Sequence, residues 1–156
     1  MKILIAFYSR TGTTKKAAQR LSREIGAGCE EINDLKKRAG FGGFLSAGFD
    51  ALRKKQTAID QLDNDPADYD LIVIGTPIWA GMMTPAVRTY LADNRSKIKK
   101  VAFFATDGEA DHEKTWADMR EMCGQAPMAT LALPSKSVVS GEYVTRLKDF
   151  AAKLHE

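Results

Sequence analysis

Residues 3–14 read ILIAFYSRTGTT, and this stretch decides the fold class and holds the first candidate site. Ile3–Phe7 is an apolar run without polar alternation, which is typical of a strand covered on both faces. Ser9–Thr14 follows almost at once and combines four hydroxyl side chains with one glycine. The chain then becomes periodic at helical spacing, with Ala17, Ala18, Leu21 and Ile25 on one face. The stretch therefore predicts a strand, a polar loop and a helix in direct succession.

Further short apolar runs predict the rest of a sheet. Strands are expected at Leu71–Ile74, Val101–Ala105 and Ala129–Leu133, and the more polar Cys29–Ile32 suits an edge strand. Helical periodicity returns between the runs, so the order is β-α-β, an insert, then β-α-β-α-β-α. This alternation predicts an α/β fold in which one parallel sheet carries helices on both faces. No repeat or linker interrupts the chain, and we expect residues 1–156 to form a single domain.

Capping residues predict where several helices begin and end. Gly26 or Gly28 can end the first helix. Thr84 can cap a helix that starts at Pro85, because the missing N–H of proline is not needed there. Ser140 is expected to cap the last helix, whose apolar stripe comprises Val144, Leu147, Phe150, Ala151 and Leu154.

Composition and charge exclude several classes of protein. The chain of 156 residues is 44% hydrophobic and 28% charged, which is typical of a globular domain rather than a disordered chain. Its net charge of +3 is too small to indicate nucleic-acid binding. No apolar run approaches the roughly 18–20 residues of a membrane span, and Ser9 comes too early for a signal peptide. We therefore expect a cytoplasmic protein without an integral membrane segment.

Cysteine and histidine are too few and too scattered to indicate a disulfide framework or a metal centre. Cys29 and Cys123 form no C-x-x-C motif and are expected to be reduced thiols. His112 and His155 are the only histidines and have no metal-ligand spacing. No metal site is therefore expected.

The loop Ser9–Thr14 is a candidate phosphate site. Its hydroxyls and the backbone N–H groups beside Gly12 can donate to an anion, and the following helix N-terminus adds about half a positive charge. The loop has neither the Walker pattern nor the G-x-G-x-x-G pattern, which argues against an ATPase, a GTPase or a Rossmann dinucleotide site.

The loop Gly75–Gly81 follows the strand at Leu71–Ile74 and contains a tryptophan near its tip. Trp79 has two open interpretations. It can pack at the rim of the protein, or it can stack on a flat ring that is bound beside the phosphate loop.

The loop from Thr106 to Glu113 follows the next strand and carries four carboxylates. These can be solvated side chains at a helix N-terminus, or they can form an acidic rim near a ligand. We expect His112 to be a solvated loop residue rather than a proton donor.

An insert at Gly40–Gly48 interleaves glycines with Phe41, Phe44, Leu45 and Phe49, and runs into Arg53-Lys54-Lys55. It suits a short helix that folds over the sheet edge. It also suits a helix that docks on a partner or on a membrane surface, since aromatic and basic residues share one segment.

Together the three loops resemble the flavodoxin family over nearly the whole chain. The resemblance implies a flavodoxin-like three-layer sandwich with strand order 2-1-3-4-5 and FMN bound at the topological switch point. It implies that the FMN phosphate is held by Ser9, Arg10, Thr11, Gly12, Thr13 and Thr14. It also implies two loops beside the flavin ring, formed by Thr76, Pro77, Ile78, Trp79, Ala80 and Gly81 and by Thr106, Asp107, Gly108 and Glu109.

The resemblance leaves two functions open. A response regulator or a low-molecular-weight tyrosine phosphatase is excluded, because the acidic pair and the C-x5-R motif that they need are absent. An electron carrier between redox protein partners is expected first. The basic net charge and the absence of a tyrosine from residues 106–113 favour the alternative, an NAD(P)H-dependent enzyme that reduces a small acceptor such as a quinone. No catalytic residue is assigned.

Overall fold

A five-stranded parallel sheet forms the centre of the computed structural model, which describes residues 1–36, 40–107 and 112–156, except for the side chain of Phe41. The strands are β1 (Ile3–Phe7), β2 (Gly28–Glu31), β3 (Leu71–Pro77), β4 (Val101–Asp107) and β5 (Thr130–Pro134). Their spatial order is β2-β1-β3-β4-β5, and every neighbouring pair is parallel. The expected order is confirmed.

Helices cover both faces of the sheet and complete the three layers. They are α1 (Thr13–Ile25), α2 (Gly40–Leu52), α3 (Pro85–Asn94), α4 (His112–Cys123), α5 (Ser135–Ser140) and α6 (Val144–Lys153). On one face Leu21, Val138 and Leu147 pack from α1, α5 and α6. On the other face Val87 and Met119 pack from α3 and α4. Side chains of β1, β3 and β4 alternate between these two hydrophobic cores. The central strands are therefore apolar on both faces.

The helix α2 is the insert that the sequence marks by its glycines and phenylalanines. It lies against α3 and buries Ala47 and Ala51. The segment that leads to β3 is a loop with a short 3-10 turn at Pro66–Asp68.

Two strands extend beyond the apolar runs that predict them. β3 continues to Pro77 and β4 continues to Asp107, because the polar residues Thr76, Thr106 and Asp107 are buried within the sheet. Gly75 is needed where β3 passes β4, since a Cβ atom there would lie 2.2 Å from Cζ of Phe104.

The expected cap of the last helix is wrong. Ser140 is the last residue of α5, and its hydroxyl donates to the carbonyl of Ser137 at 3.3 Å. The backbone turns at Gly141, and α6 begins only at Val144. The start of α3 at Pro85 is confirmed, although the Thr84 side chain makes no capping bond and lies 3.3 Å from the Thr76 hydroxyl instead.

Cys29 is exposed and Cys123 is buried, and both are free thiols as expected.

Among the described residues, no helix is both long enough and apolar enough to pass through a bilayer.

Candidate cofactor site

The first two loops predicted to carry a ligand and the described start of the third, Thr106 and Asp107, converge at the carboxyl edge of β1, β3 and β4. The N–H of Tyr8, just after β1, donates to Gly75 O at 3.1 Å, and the N–H of Ile78 donates to Thr106 O at 3.0 Å. The helix that follows β1 lies on one face of the sheet, and the helix that follows β3 lies on the other. This edge is therefore the topological switch point of the sheet, the place where α/β sheets bind ligands.

The first loop presents backbone donors at the N-terminus of α1. Gly12 precedes the helix with φ 94°, a left-handed conformation that favours glycine, and as a glycine it has no side chain with which to cap the helix. The Ser9 Oγ accepts from the N–H groups of Gly12 and Lys15, each at 3.1 Å, and so fixes the loop. The N–H groups of Thr13 and Thr14 have no acceptor among the described residues. These donors and the helix dipole suit an anion.

The hydroxyls of this loop divide into two sets. Thr11 and Thr13 lie at the surface end of the loop, with their Oγ1 atoms 3.5 Å apart. The Thr14 side chain instead turns inward, where its Oγ1 lies 2.8 Å from Oγ1 of Thr106. Both residues of this pair are buried. Thr14 can therefore offer a ligand its N–H group, while its hydroxyl joins α1 to β4.

Two cations lie next to the first loop. The guanidinium of Arg10 is 5.4 Å from the ring centre of Phe44 on α2. The ammonium of Lys15 lies 2.6 Å from Glu31 on β2, and this hydrogen bond raises the pKa of Lys15. Lys15 is thus paired with a carboxylate of the protein. Arg10 lies at one end of a groove that is described below.

The second loop is a tight turn held from both ends. Trp79 and Met82 exchange backbone hydrogen bonds at 3.0 Å, with Ala80 (φ 51°) and Gly81 (φ 76°) between them. Positive φ at both central residues is the pattern of a type I′ turn. Thr76, which is fully buried, accepts from the N–H of Thr84 at 3.2 Å and donates to Pro77 O at 2.8 Å. Thr76 thus positions the loop and does not present its hydroxyl at the surface.

The rings of Trp79 and Tyr8 pack at right angles, with ring centres 5.5 Å apart. Tyr8 is buried, while Trp79 is only partly buried. Trp79 therefore packs against Tyr8 as one interpretation predicts, and part of its side chain stays accessible to a ligand. Sequence reasoning missed Tyr8, although an aromatic residue directly after a strand at the ligand edge is a usable signal.

A groove of about 460 Å³ separates the Trp79 turn from α2. Ile78, Trp79 and Ala80 form one wall, and Arg10 lies at the end near the first loop. The other wall is apolar and comprises Phe44, Leu45, Ala47, Gly48, Phe49 and Leu52. The α2 side of this groove was not among the predicted site residues, because no sequence pattern tells which way an insert folds.

The third loop begins with a buried carboxyl group, that of Asp107. Asp107 is the last residue of β4, and its Oδ2 bonds to Nε2 of His112, the first residue of α4. The Oδ1 of Asp107 is buried and has no hydrogen-bond partner among the described residues. Asp107 is therefore not one of the solvated carboxylates that the sequence allowed, whereas the His112 side chain stays 36% exposed and bonds to Asp107, because the end of β4 and the start of α4 bring the two side chains together. Gly108 and Glu109 lie outside the described residues.

In the described parts of the chain, no group of three or more His, Cys, Asp or Glu side chains could hold a metal ion.

Comparison with known structures gives flavoproteins of the same fold. A flavoprotein from Lactobacillus acidophilus NCFM, solved in complex with FMN, is 28% identical, with TM-score 0.74, and the match covers 90% of this chain and 97% of that one. Two-electron reduced Megasphaera elsdenii flavodoxin is 17% identical, with TM-score 0.63, over 97% of this chain and 99% of that one. Oxidised flavodoxin 1 from Bacillus cereus is 16% identical, with TM-score 0.55, over 98% and 96% of the two chains. The latter two likenesses concern the fold alone.

No curated protein sequence matches the chain. A flavodoxin family model, however, matches residues 48–147, which is more than half of the chain. The chain therefore belongs to the flavodoxin family.

Proposed function

We propose that this protein binds FMN non-covalently at the carboxyl edge of β1, β3 and β4 and transfers electrons between protein partners. The observation that carries the proposal is the meeting of the α1 N-terminus, the Trp79 turn and the end of β4 at one switch point. Membership of the flavodoxin family supports it, as does the FMN in the Lactobacillus acidophilus flavoprotein.

The donor and acceptor groups of the site fit FMN. A phosphate needs several donors, and the first loop offers the N–H groups of Thr13 and Thr14 with the hydroxyls of Thr11 and Thr13. The remainder of FMN carries hydroxyl and ring N–H groups that need acceptors, and the Asp107 Oδ1 is a buried acceptor without a partner among the described residues. The accessible part of Trp79 suits contact with a flat ring.

Each set of residues has its own role in this proposal. Ser9 to Thr14 hold the phosphate, with Ser9 fixing the loop and Arg10 adding a positive charge. Thr76 to Gly81 lie along one side of the ring, and Thr106 to Glu109 lie along the other. Bound FMN supplies reversible one- or two-electron reduction, and the protein tunes it by packing and charge.

The groove favours a second candidate function, NAD(P)H-dependent reduction of a small aromatic acceptor such as a quinone. Ligand pockets of a few hundred Å³ with apolar walls and one charged group suit such molecules. This groove has apolar walls, Arg10 at one end and the Trp79 turn of the proposed FMN site as its rim. We expect the protein in the cytoplasm, since its two free thiols suit a reducing compartment.

Anaerobic absorbance spectroscopy tests both functions. FMN and riboflavin are first titrated into the purified protein, and the proposal requires FMN to bind more tightly because riboflavin lacks the phosphate. NADH or NADPH is then added without oxygen. Bound flavin that stays oxidised supports the carrier, whereas rapid bleaching supports the reductase. Failure to bind FMN overturns the proposal.

A further inference from the structure

The helix α2 presents an apolar face to solvent. Phe44 is 61% exposed, Leu45 56%, Phe49 51% and Leu52 53%. These four are half of the strongly exposed large apolar side chains among the described residues. At 3.6 residues per turn they fall within an arc of about 140°, while Ala47 and Ala51 face the protein. A contiguous apolar surface of this kind marks an interaction site.

In the sequence, basic residues precede and follow this helix. Residues 36–38 read Lys-Lys-Arg and residues 53–55 read Arg-Lys-Lys, and Asp50 is the one charged residue between these two groups. The Asp50 side chain is buried and pairs with Lys36 at 2.5 Å. The Lys55 ammonium also lies 3.8 Å from Asp50, whereas the guanidinium of Arg53 lies 4.0 Å from the ring centre of Phe49. Arg53 therefore places a positive charge beside the exposed apolar face, which contains no exposed carboxylate.

The helix is attached to the protein through its buried side and its ends. Ala47 and Ala51 pack into the body, and Lys36 is tied to Asp50. Beyond the last turn, the Lys54 ammonium lies 3.1 Å from Glu121 and 3.5 Å from Asp118 on α4. These contacts leave Phe44, Leu45, Phe49 and Leu52 as the outer surface of a helix that is already folded.

We propose that α2 is an interfacial helix that docks the protein on an anionic membrane surface. Aromatic and leucine side chains on one face with basic residues beside them are the composition of helices that lie in the headgroup region. Anionic lipids complement the basic ends. A second copy of the chain would bring the same basic ends together, which disfavours self-association through this face.

Docking by this face places the groove and the Trp79 turn beside the bilayer, since Ile78, Trp79 and Ala80 form the groove wall opposite α2. Trp79 is partly exposed and Trp116 is buried, so a change in tryptophan emission on docking reports mainly on Trp79. The proposal does not require bound FMN, and it can fail while the proposed redox function stands.

Vesicle co-sedimentation of the full chain tests the proposal. One set of vesicles is phosphatidylcholine alone, and the other contains about a quarter phosphatidylglycerol. We expect binding to the anionic vesicles to be at least about tenfold stronger, to weaken as salt is raised, and to shift the Trp79 emission to shorter wavelength. Absence of binding, or equal binding to both vesicles, overturns the proposal.

Matched variants separate the α2 face from apolar exposure in general. The double variant Phe44→Ser/Phe49→Ser should lose at least about tenfold in vesicle binding. Met128→Ser/Val139→Ser, which removes exposed apolar side chains elsewhere, should bind like the wild type. Arg53→Gln should weaken binding and reduce its salt dependence. Thermal unfolding verifies that each variant is folded.

Two results with these variants contradict the proposal. One is unchanged vesicle binding by a folded Phe44→Ser/Phe49→Ser protein. The other is a wild-type dimer that dissociates in this variant and does not bind vesicles, which would assign the face to contact between copies of the chain.

Discussion

The hydroxyl oxygens of Thr14 and Thr106 lie 2.8 Å apart, although the two residues are separated by 92 positions in the chain. Both side chains are buried. Thr14 lies in the first turn of α1, which carries the phosphate donors of the proposed site, and Thr106 precedes Asp107 at the end of β4. This hydrogen bond therefore connects the first and third loops of the site.

Removing both hydroxyls of this pair should cost less free energy of unfolding than the sum of the two single removals. Thr106→Val keeps the shape of the side chain but leaves the Thr14 hydroxyl buried without its partner, and we expect a loss of about 1–3 kcal/mol in the free energy of unfolding. Thr14→Val should act similarly. The double variant should lose less than the sum, because no buried hydroxyl is then left alone. Urea denaturation of the four proteins measures the coupling, and purely additive losses would contradict it.

The strands could be predicted from sequence because their burial is simple. Central strands of a parallel sheet are covered on both faces, so runs such as Ile3–Phe7 and Val101–Ala105 are continuously apolar. The ends of β3 and β4 could not be placed in this way. Thr76 and Asp107 are polar but buried there, and their side chains bond to Thr84 and His112 in the segments that follow the strands.

The site loops were predictable because the carboxyl ends of neighbouring parallel strands meet at one edge. Their internal contacts were not. The contact between Tyr8 and Trp79, and the bond between Asp107 and His112, depend on how strands and helices pack. The sequence also could not predict which side chains of α2 are exposed, since the same residues could have packed over the sheet edge.

Gly12 offers a test of the phosphate loop. A Cβ atom at Gly12 would meet no atom of the described protein within 4 Å, so the space beside Gly12 is open. The side chain added by Gly12→Val would project beside the N–H groups of Thr13 and Thr14 and strain a backbone at φ 94°. We expect FMN affinity to fall about 10- to 100-fold, with little change for riboflavin. Fluorescence titration of both flavins measures this.

Gly42→Ala is the matched control for this prediction. Its Cβ also points into open space, but its φ is not in the left-handed region and it lies on α2. It should leave FMN affinity unchanged. An equal loss of FMN and riboflavin in Gly12→Val would show that the glycine does not act through the phosphate.

The buried carboxylate of Asp107 should lower the reduction potential of bound FMN. A negative charge near the flavin opposes the addition of an electron, and His112 neutralises this charge only when protonated. Asp107→Asn should therefore raise the midpoint potential, by up to about 59 mV, which is a tenfold change in a one-electron equilibrium. Asp93→Asn, at an exposed residue of α3, should leave it unchanged. A potential that does not rise in Asp107→Asn contradicts the prediction.

Ala80 carries a backbone conformation that asparagine adopts more readily. Its φ of 51° is left-handed, and asparagine followed by glycine is the preferred pair at the centre of a type I′ turn. Ala80→Asn should raise the free energy of unfolding by about 0.5–1 kcal/mol. Gly81→Ala is the opposite control, since φ is 76° and the added Cβ would lie 3.4 Å from Cδ of Lys114. Thermal or urea unfolding in the absence of flavin compares them, and a loss in Ala80→Asn would refute the turn assignment.

Asp70 should make the free energy of unfolding depend on pH. The N–H of Lys2 donates to Asp70 Oδ2 at 2.7 Å, and this hydrogen bond lowers the pKa of the Asp70 carboxyl. A lowered pKa in the folded state means that the stabilisation is complete above about pH 5 and is lost as pH falls through the folded pKa. The gap in urea midpoint between the wild type and Asp70→Ala should therefore be present at neutral pH and shrink in acid. Asp149→Ala, at an exposed residue of α6, should show no such change, and a gap for Asp70→Ala that stays constant on acidification would contradict the role of this bond.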